Sequence, residues 1–85
     1  MFEILYAKSV LKDLRRISKK NLIKIKQAIE ELKQFPNLTQ IKRLTNHPIA
    51  EYRLRVGDYR VLFDVDWDQK RIYILKIGHR KDVYS

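Results

Sequence analysis

The chain has 85 residues, no cysteine, and 19 Lys and Arg against 10 Asp and Glu, a formal net charge of +9. That length allows one domain, residues 1–85, burying roughly 60 to 65 per cent of its unfolded surface around a single core, and the missing cysteine excludes a disulfide framework and a thiolate metal site. No apolar run approaches the roughly 20 residues of a membrane span, and the opening MFEILYAKSV lacks a basic leader with a long apolar region behind it, so a cytoplasmic protein with no membrane partner is expected.

A positive field of this size concentrates polyanions around the domain and speeds their encounter, which points to nucleic acid or an acidic protein as partner. The plainer reading is solubility alone. The charge is uneven: residues 1–50 hold eleven basic and four acidic groups, residues 51–85 eight and six. Bulk charge therefore sits in the first half, and the last third is selective rather than merely basic.

In chain order, Phe2 to Tyr6 alternates as a short strand with Phe2, Ile4 and Tyr6 on one face. From Ala7 the period changes. Val10, Leu11, Leu14 and Ile17 recur at helical spacing opposite Lys8, Lys12, Asp13, Arg15 and Arg16, which predicts an amphipathic helix. Ser18 can cap a second helix over Lys19 to Gln34, with Leu22, Ile25, Ala28, Ile29 and Leu32 as its buried stripe and Ile23 near the margin. Phe35-Pro36 ends it, because a residue before proline is pushed out of the helical region. The short join makes the pair a helical hairpin covering one sheet face. Lys12, Arg15, Arg16, Lys19, Lys20, Lys24 and Lys26 then form either an ordinary solvated face or a surface for the phosphates of a large RNA or for an acidic partner. Asn37 to Glu51 reads as a connecting loop with one helical turn around Gln40 to Leu44, and His47 beside Pro48 as a loop residue rather than an acid or base.

Three alternating runs follow. Tyr52-Arg53-Leu54-Arg55-Val56 sends its apolar residues to one face and both arginines to the other. Gly57-Asp58 suggests a type II′ turn. Val61, Phe63, Val65 and Trp67 then alternate with Arg60, Leu62, Asp64 and Asp66, Asp68-Gln69 supplies a second turn, and Arg71 to Ile77 is apolar on both sides, as expected of a strand covered on both faces. Asp58, Asp64, Asp66 and Asp68 fit turns or solvated strand positions better than metal ligation, since no histidine or glutamate joins them at a ligand spacing. After Gly78, His79 to Tyr84 holds too little apolar content for core, and with one residue beyond Tyr84 no C-terminal helix is expected to fix that tyrosine. The fold class predicted is α+β, in the order β-α-α-β-β-β, with the helical hairpin packed on one face of a largely antiparallel sheet.

The element order, the length, the block YRLRVGDYRVLFDVD and the closing IGHRKDVY together resemble the RelE/ParE superfamily of toxins from type II toxin–antitoxin systems, and the RelE-like branch in particular. The resemblance covers nearly the whole chain. It implies a ribosome-dependent endoribonuclease that cuts messenger RNA, with no cofactor, held in check by a cognate antitoxin, RelB-like or otherwise acidic where it docks. A ParE-like inhibitor of DNA gyrase, or a member that binds RNA without cutting it, is the alternative. By position in the motifs, Arg60, Arg80 and Tyr84 match the catalytic groups of the RelE-like branch, and Arg53 and Arg55 the basic pair of the preceding strand, where relatives often carry lysine. His79 and Lys81 are added as RNA contacts.

Metal-free RNA cleavage makes chemical sense of these types. The 2′-hydroxyl must be aligned and deprotonated, the phosphorane charge stabilised and the departing 5′-oxygen protonated. Arginine suits charge stabilisation, since its planar fork grips two phosphate oxygens and stays charged, whereas tyrosine can orient the hydroxyl or handle a proton.

Overall fold

A computed structural model describes residues 1–83. Strand β1 (Glu3–Tyr6) leads into helices α1 (Lys8–Arg15) and α2 (Lys19–Glu31), and a 3₁₀ turn over Leu32–Gln34 closes the second helix. Strands β2 (Ile41–Arg43), β3 (Tyr52–Val56), β4 (Tyr59–Asp66) and β5 (Arg71–His79) follow, and one helical turn, α3 (Arg80–Val83), ends the described chain. The sheet order is β1-β5-β4-β3-β2, with β1 parallel to β5 and every other pair antiparallel. The expected α+β arrangement is present. It carries one strand more than the periodicity indicated, because Ile41–Arg43 pairs with Tyr52–Leu54 and displaces the helical turn expected around Gln40 to Leu44.

Local chemistry explains the helix boundaries. Ser18 Oγ accepts the amide of Asn21 at 3.4 Å and starts α2, and Phe35 leaves the helical region at ψ 138° ahead of Pro36. Val10, Ile17, Ile25, Ile29 and Leu32 face the sheet, where Leu54, Val61, Phe63, Ile72, Ile74 and Ile77 meet them. Leu11 departs from the predicted stripe and is 57% exposed, because α1 runs along the rim of the sheet and only Val10 and Leu14 of it turn inward. Ile23 is exposed as well, and Tyr6 points away from the core that Phe2 and Ile4 join.

The placement of α1 has a physical cause. Strand β1 pairs only with Arg71 to Ile74 of β5, leaving the rest of that edge bare. The helix covers it: Ser9 Oγ donates to Leu75 O at 3.5 Å, and Asp13 Oδ2 accepts the amide of Ile77 at 3.0 Å. Side chains of α1 thus do what a neighbouring strand would otherwise do. Asp13, which the helical period puts on the solvent side, is an edge cap.

The β3–β4 turn is tight. Gly57 has φ +59° while Asp58 stays outside the positive region, as a type II′ turn requires. Between β4 and β5 the register shifts at Leu62/Phe63, and the bulge lets Ile72, Ile74 and Ile77 all reach the helix side.

The face away from the hairpin carries a second, smaller cluster. Leu62 is fully buried there with Ala50 and Val83, and Leu44 and Leu75 pack around them. Val83, at 4% exposure, overturns the expectation that the residues after Gly78 lie outside any core. Its Cγ1 lies 3.2 Å from where a Cβ on Gly78 would be, so the missing side chain of Gly78 makes room for it. The expected absence of a terminal helix is corrected with it: α3 folds back onto the sheet because Leu62 and Leu75 offer it apolar surface.

Candidate nucleic-acid interface

Strand alternation decides which residues share the face opposite the hairpin. Because Leu54, Val61 and Phe63 face the helices, Arg53, Arg55, Arg60 and Leu62 face the other way. Register then sets their neighbours. Lys42 lies across from Arg53, Arg53 from Leu62, Arg55 from Arg60, and Arg60 from Gly78.

Two like charges directly opposite on adjacent antiparallel strands repel. Neutral acceptors separate Arg55 and Arg60. Arg55 Nε donates to Gln40 Oε1 at 3.0 Å, and Gln40 O accepts both Arg55 N at 3.0 Å and Arg53 Nη1 at 3.1 Å. Arg60 Nη1 turns back to the hairpin turn, donating to Gly57 O at 2.8 Å and Tyr59 O at 3.0 Å. Those bonds leave its Nε and Nη2 donors for an anion. Among the described residues the ion pairs are Lys33 with Glu30 and Arg71 with Glu3, so none of Arg53, Arg55 and Arg60 is neutralised by a carboxylate. Pairing of Arg60 with Asp58 does not occur.

Arg80 joins the same end of the sheet. Its backbone amide donates to Asp58 O at 2.8 Å, so the start of α3 and the guanidinium of Arg60 both anchor on the Gly57-Asp58 turn. Lys81 follows on the exposed side of α3. His79 does not join them. It is paired with Tyr59, packs edge-to-face on that ring at 5.8 Å, and its Nδ1 accepts the amide of Lys81 at 3.2 Å. Since Tyr59 packs against the main core, His79 lies on the hairpin side of the sheet. There it lines a cleft of about 200 Å³ with Arg16 and Lys76. Tyr84 lies outside the described residues.

Two of the aspartates serve structure. Asp64 Oδ1 accepts the amide of Glu51 at 2.7 Å and holds the incoming loop, while Asp66 Oδ1 accepts that of Gln69 at 3.1 Å in the β4–β5 turn. The seven basic residues of the hairpin, Lys12 to Lys26, are all exposed.

Two residues with a part in this face escaped the reading of the sequence. Gln40 holds both β3 arginines, and nothing in its neighbourhood announces that, because β2 has only three residues. His47 sits in the loop as expected but is tied at both ring nitrogens: Nδ1 accepts the amide of Ile49 at 3.1 Å and Nε2 lies 3.4 Å from Val83 O. His47-Pro48 marks a turn in the sequence, not a contact 36 residues away.

Comparison with known proteins identifies the family and the fold. The profile of the family described as ParE toxin of type II toxin-antitoxin system, parDE, matches residues 4–84. RelE1 of Methanocaldococcus jannaschii is 41% identical over 99% of this chain and 96% of its own length. The archaeal RelE–RelB complex from Pyrococcus horikoshii OT3 superimposes with a TM-score of 0.77 at 28% identity, covering 95% of this chain and 97% of that one. The RelBE2 complex of Mycobacterium tuberculosis, at 24% identity, shares the fold with a TM-score of 0.79 over 93% of this chain and 98% of that one. The sheet and the hairpin are those of this fold, and the chain belongs to the RelE/ParE superfamily of type II toxin–antitoxin systems, on its RelE-like branch.

Proposed function

We propose that this toxin is a ribosome-dependent endoribonuclease that cuts messenger RNA in the cytoplasm and so inhibits translation. The observation that carries the reading is the arginine group on the open face, which no carboxylate among the described residues neutralises, with Arg55 and Arg60 in direct cross-strand register. A fold that sets like charges opposite each other gives up stability there, and a bound phosphate would recover it.

In the reaction the 2′-oxygen attacks the adjacent phosphorus as the bond to the 5′-oxygen breaks, leaving a 2′,3′-cyclic phosphate and a 5′-hydroxyl. Arg60 stabilises the charge that develops on the phosphorane, through the donors its turn contacts leave open. Arg53 and Arg55, held by Gln40, grip the neighbouring phosphates. Arg80 holds phosphate and assists the leaving group, Tyr84 handles a proton or orients the 2′-hydroxyl, and Lys81 adds a phosphate contact. His79 fits this scheme less well than the others, since the sheet separates it from Arg60. The natural inhibitor is an acidic antitoxin; the relatives from Pyrococcus horikoshii and Methanococcus jannaschii are each described as bound to RelB.

Primer extension on translating ribosomes tests this. Cleavage within codons is expected from the wild type, and a loss of about 10² or more from Arg60→Ala and from Arg80→Ala if each stabilises transition-state charge. Undiminished cleavage in both variants defeats the assignment. The description of the matching family as parDE toxins supports a second reading, inhibition of DNA gyrase. Expression that leaves translation running while producing DNA damage and filamentation decides for it.

A further inference from the structure

The row of side chains that crosses the open face begins with an uncharged residue. Gln40 lies one position before β2, where the Ile41–Leu54 register continued by one residue sets it across from Arg55, and Arg55 N donates to Gln40 O at 3.0 Å. Arg55 is in turn opposite Arg60. Gln40, Arg55 and Arg60 therefore stand in one line across neighbouring segments, with Gln40 two strand spacings, about 10 Å in all, from Arg60. One nucleotide covers such a span from its phosphate to the edge of its base.

The side chain of Gln40 is exposed, and its amide has one way to lie. Oε1 accepts Arg55 Nε at 3.0 Å, and turning the amide over would set N–H against N–H. Nε2 is thus the outward end, and among the described residues nothing accepts from it. An unheld glutamine reads adenine with both ends, giving to N7 while taking from the N6 amino group. Here the accepting end is already held by the arginine, so what Gln40 shows a base is a donor.

We propose that Gln40 is a specificity-determining residue: its Nε2 donates to the base of a nucleotide whose phosphate Arg55 and Arg60 hold, and it selects the keto bases guanine and uracil over the amino bases adenine and cytosine. The consequence for cleavage rests on the nuclease reading above; the base selection itself does not.

Two substitutions separate selection from support of Arg55. Gln40→Ala removes both ends of the amide. Gln40→Glu still accepts from Arg55 Nε but presents a second acceptor where the donor was, and because its charge also weakens the arginines' hold on phosphate, the readout is the ratio between bases and not the rate. Sequencing of messenger ends cut on translating ribosomes is expected to show guanine and uracil exceeding adenine and cytosine by about two- to tenfold at one nucleotide flanking the cut, the range of one neutral hydrogen bond. Gln40→Ala lowers that ratio toward one, and Gln40→Glu reverses it. An unchanged ratio in either variant, or no preference in the wild type, overturns the proposal. If the wild type does not cleave, the nuclease reading fails, and fluorescence anisotropy decides the selection with short single-stranded RNAs that differ only in inosine for adenosine. The wild type is then expected to hold the inosine RNA more tightly by about two- to tenfold, and Gln40→Glu the adenosine RNA. Equal affinities overturn it.

Discussion

On one side of the sheet, Leu54, Val61, Phe63, Ile72, Ile74 and Ile77 meet two helices in a continuous apolar layer. On the other, the intervening residues of the same strands split into two zones. Leu62 and Leu75 lie under Val83 and the 44–51 loop, and Arg53, Arg55 and Arg60 stand beside them at the β3–β4 end. The first face is optimised for burial. The second buries only enough to seat α3, and leaves arginines on display that no carboxylate among the described residues neutralises. The contrast is between a face that is closed by burial and one whose like charges face each other across β3 and β4, the arrangement on which the proposed phosphate contact rests.

Substitutions on the two faces should separate stability from function. Phe63→Ala, in the fully buried layer against Phe35 and Tyr52, is expected to cost about 3–5 kcal/mol in denaturant unfolding. A loss under about 1 kcal/mol would mean that the hairpin face is not the main core. Gly78→Ala places a Cβ 3.2 Å from Val83 Cγ1, so the Val83 side chain must give by a few tenths of an ångström, and a loss of about 1 kcal/mol is expected where α3 resists that shift. Its cleavage rate should drop further than its melting temperature predicts, and a rate that merely tracks stability would argue that α3 has no part in the reaction.

Gln40→Ala frees the Arg55 guanidinium but keeps the backbone acceptor, so RNA affinity should weaken by only about two- to tenfold, within the range of one ordinary hydrogen bond, with the melting temperature unchanged. The smallest effect belongs to the hairpin side. Partial burial raises the Tyr6 phenol from its ordinary 10.0, and the Glu30 carboxylate adds to this while Lys33 opposes it. A raised phenol favours the neutral form in the folded state, so its contribution is complete below pH 10.0 and is lost as pH climbs past it. Tyr6→Phe should flatten that alkaline decline in stability, and an identical slope in both proteins would remove Tyr6 as its source.

Much of the hairpin face could be read directly. Alternation in Tyr52 to Val56 and Tyr59 to Asp66, and the helical stripe Leu22, Ile25, Ile29 and Leu32, follow from periods of two and 3.6 along the chain, and Ser18 and Pro36 mark helix ends by local chemistry. The sharing of one surface by Arg53 and Arg55 was legible for the same reason. Errors cluster where a residue's partner is far along the chain. Asp13 looks like a solvent-facing helix residue until Ile77 is set beside it, Val83 looks too isolated for core until Leu62 lies under it, and Ile41–Arg43 becomes a strand only because β3 offers an edge.

Side-chain period and turn chemistry depend on a residue and its next few neighbours, and these were enough to specify two helices, the β3–β5 meander and the arginines' common side. Tertiary structure decided the bulge, the edge cap by α1, the docking of α3, and the separation of His79 from Arg60 by the thickness of the sheet. Each of these is a contact between segments whose ends must first be brought together, and no pattern within either segment encodes the other's position.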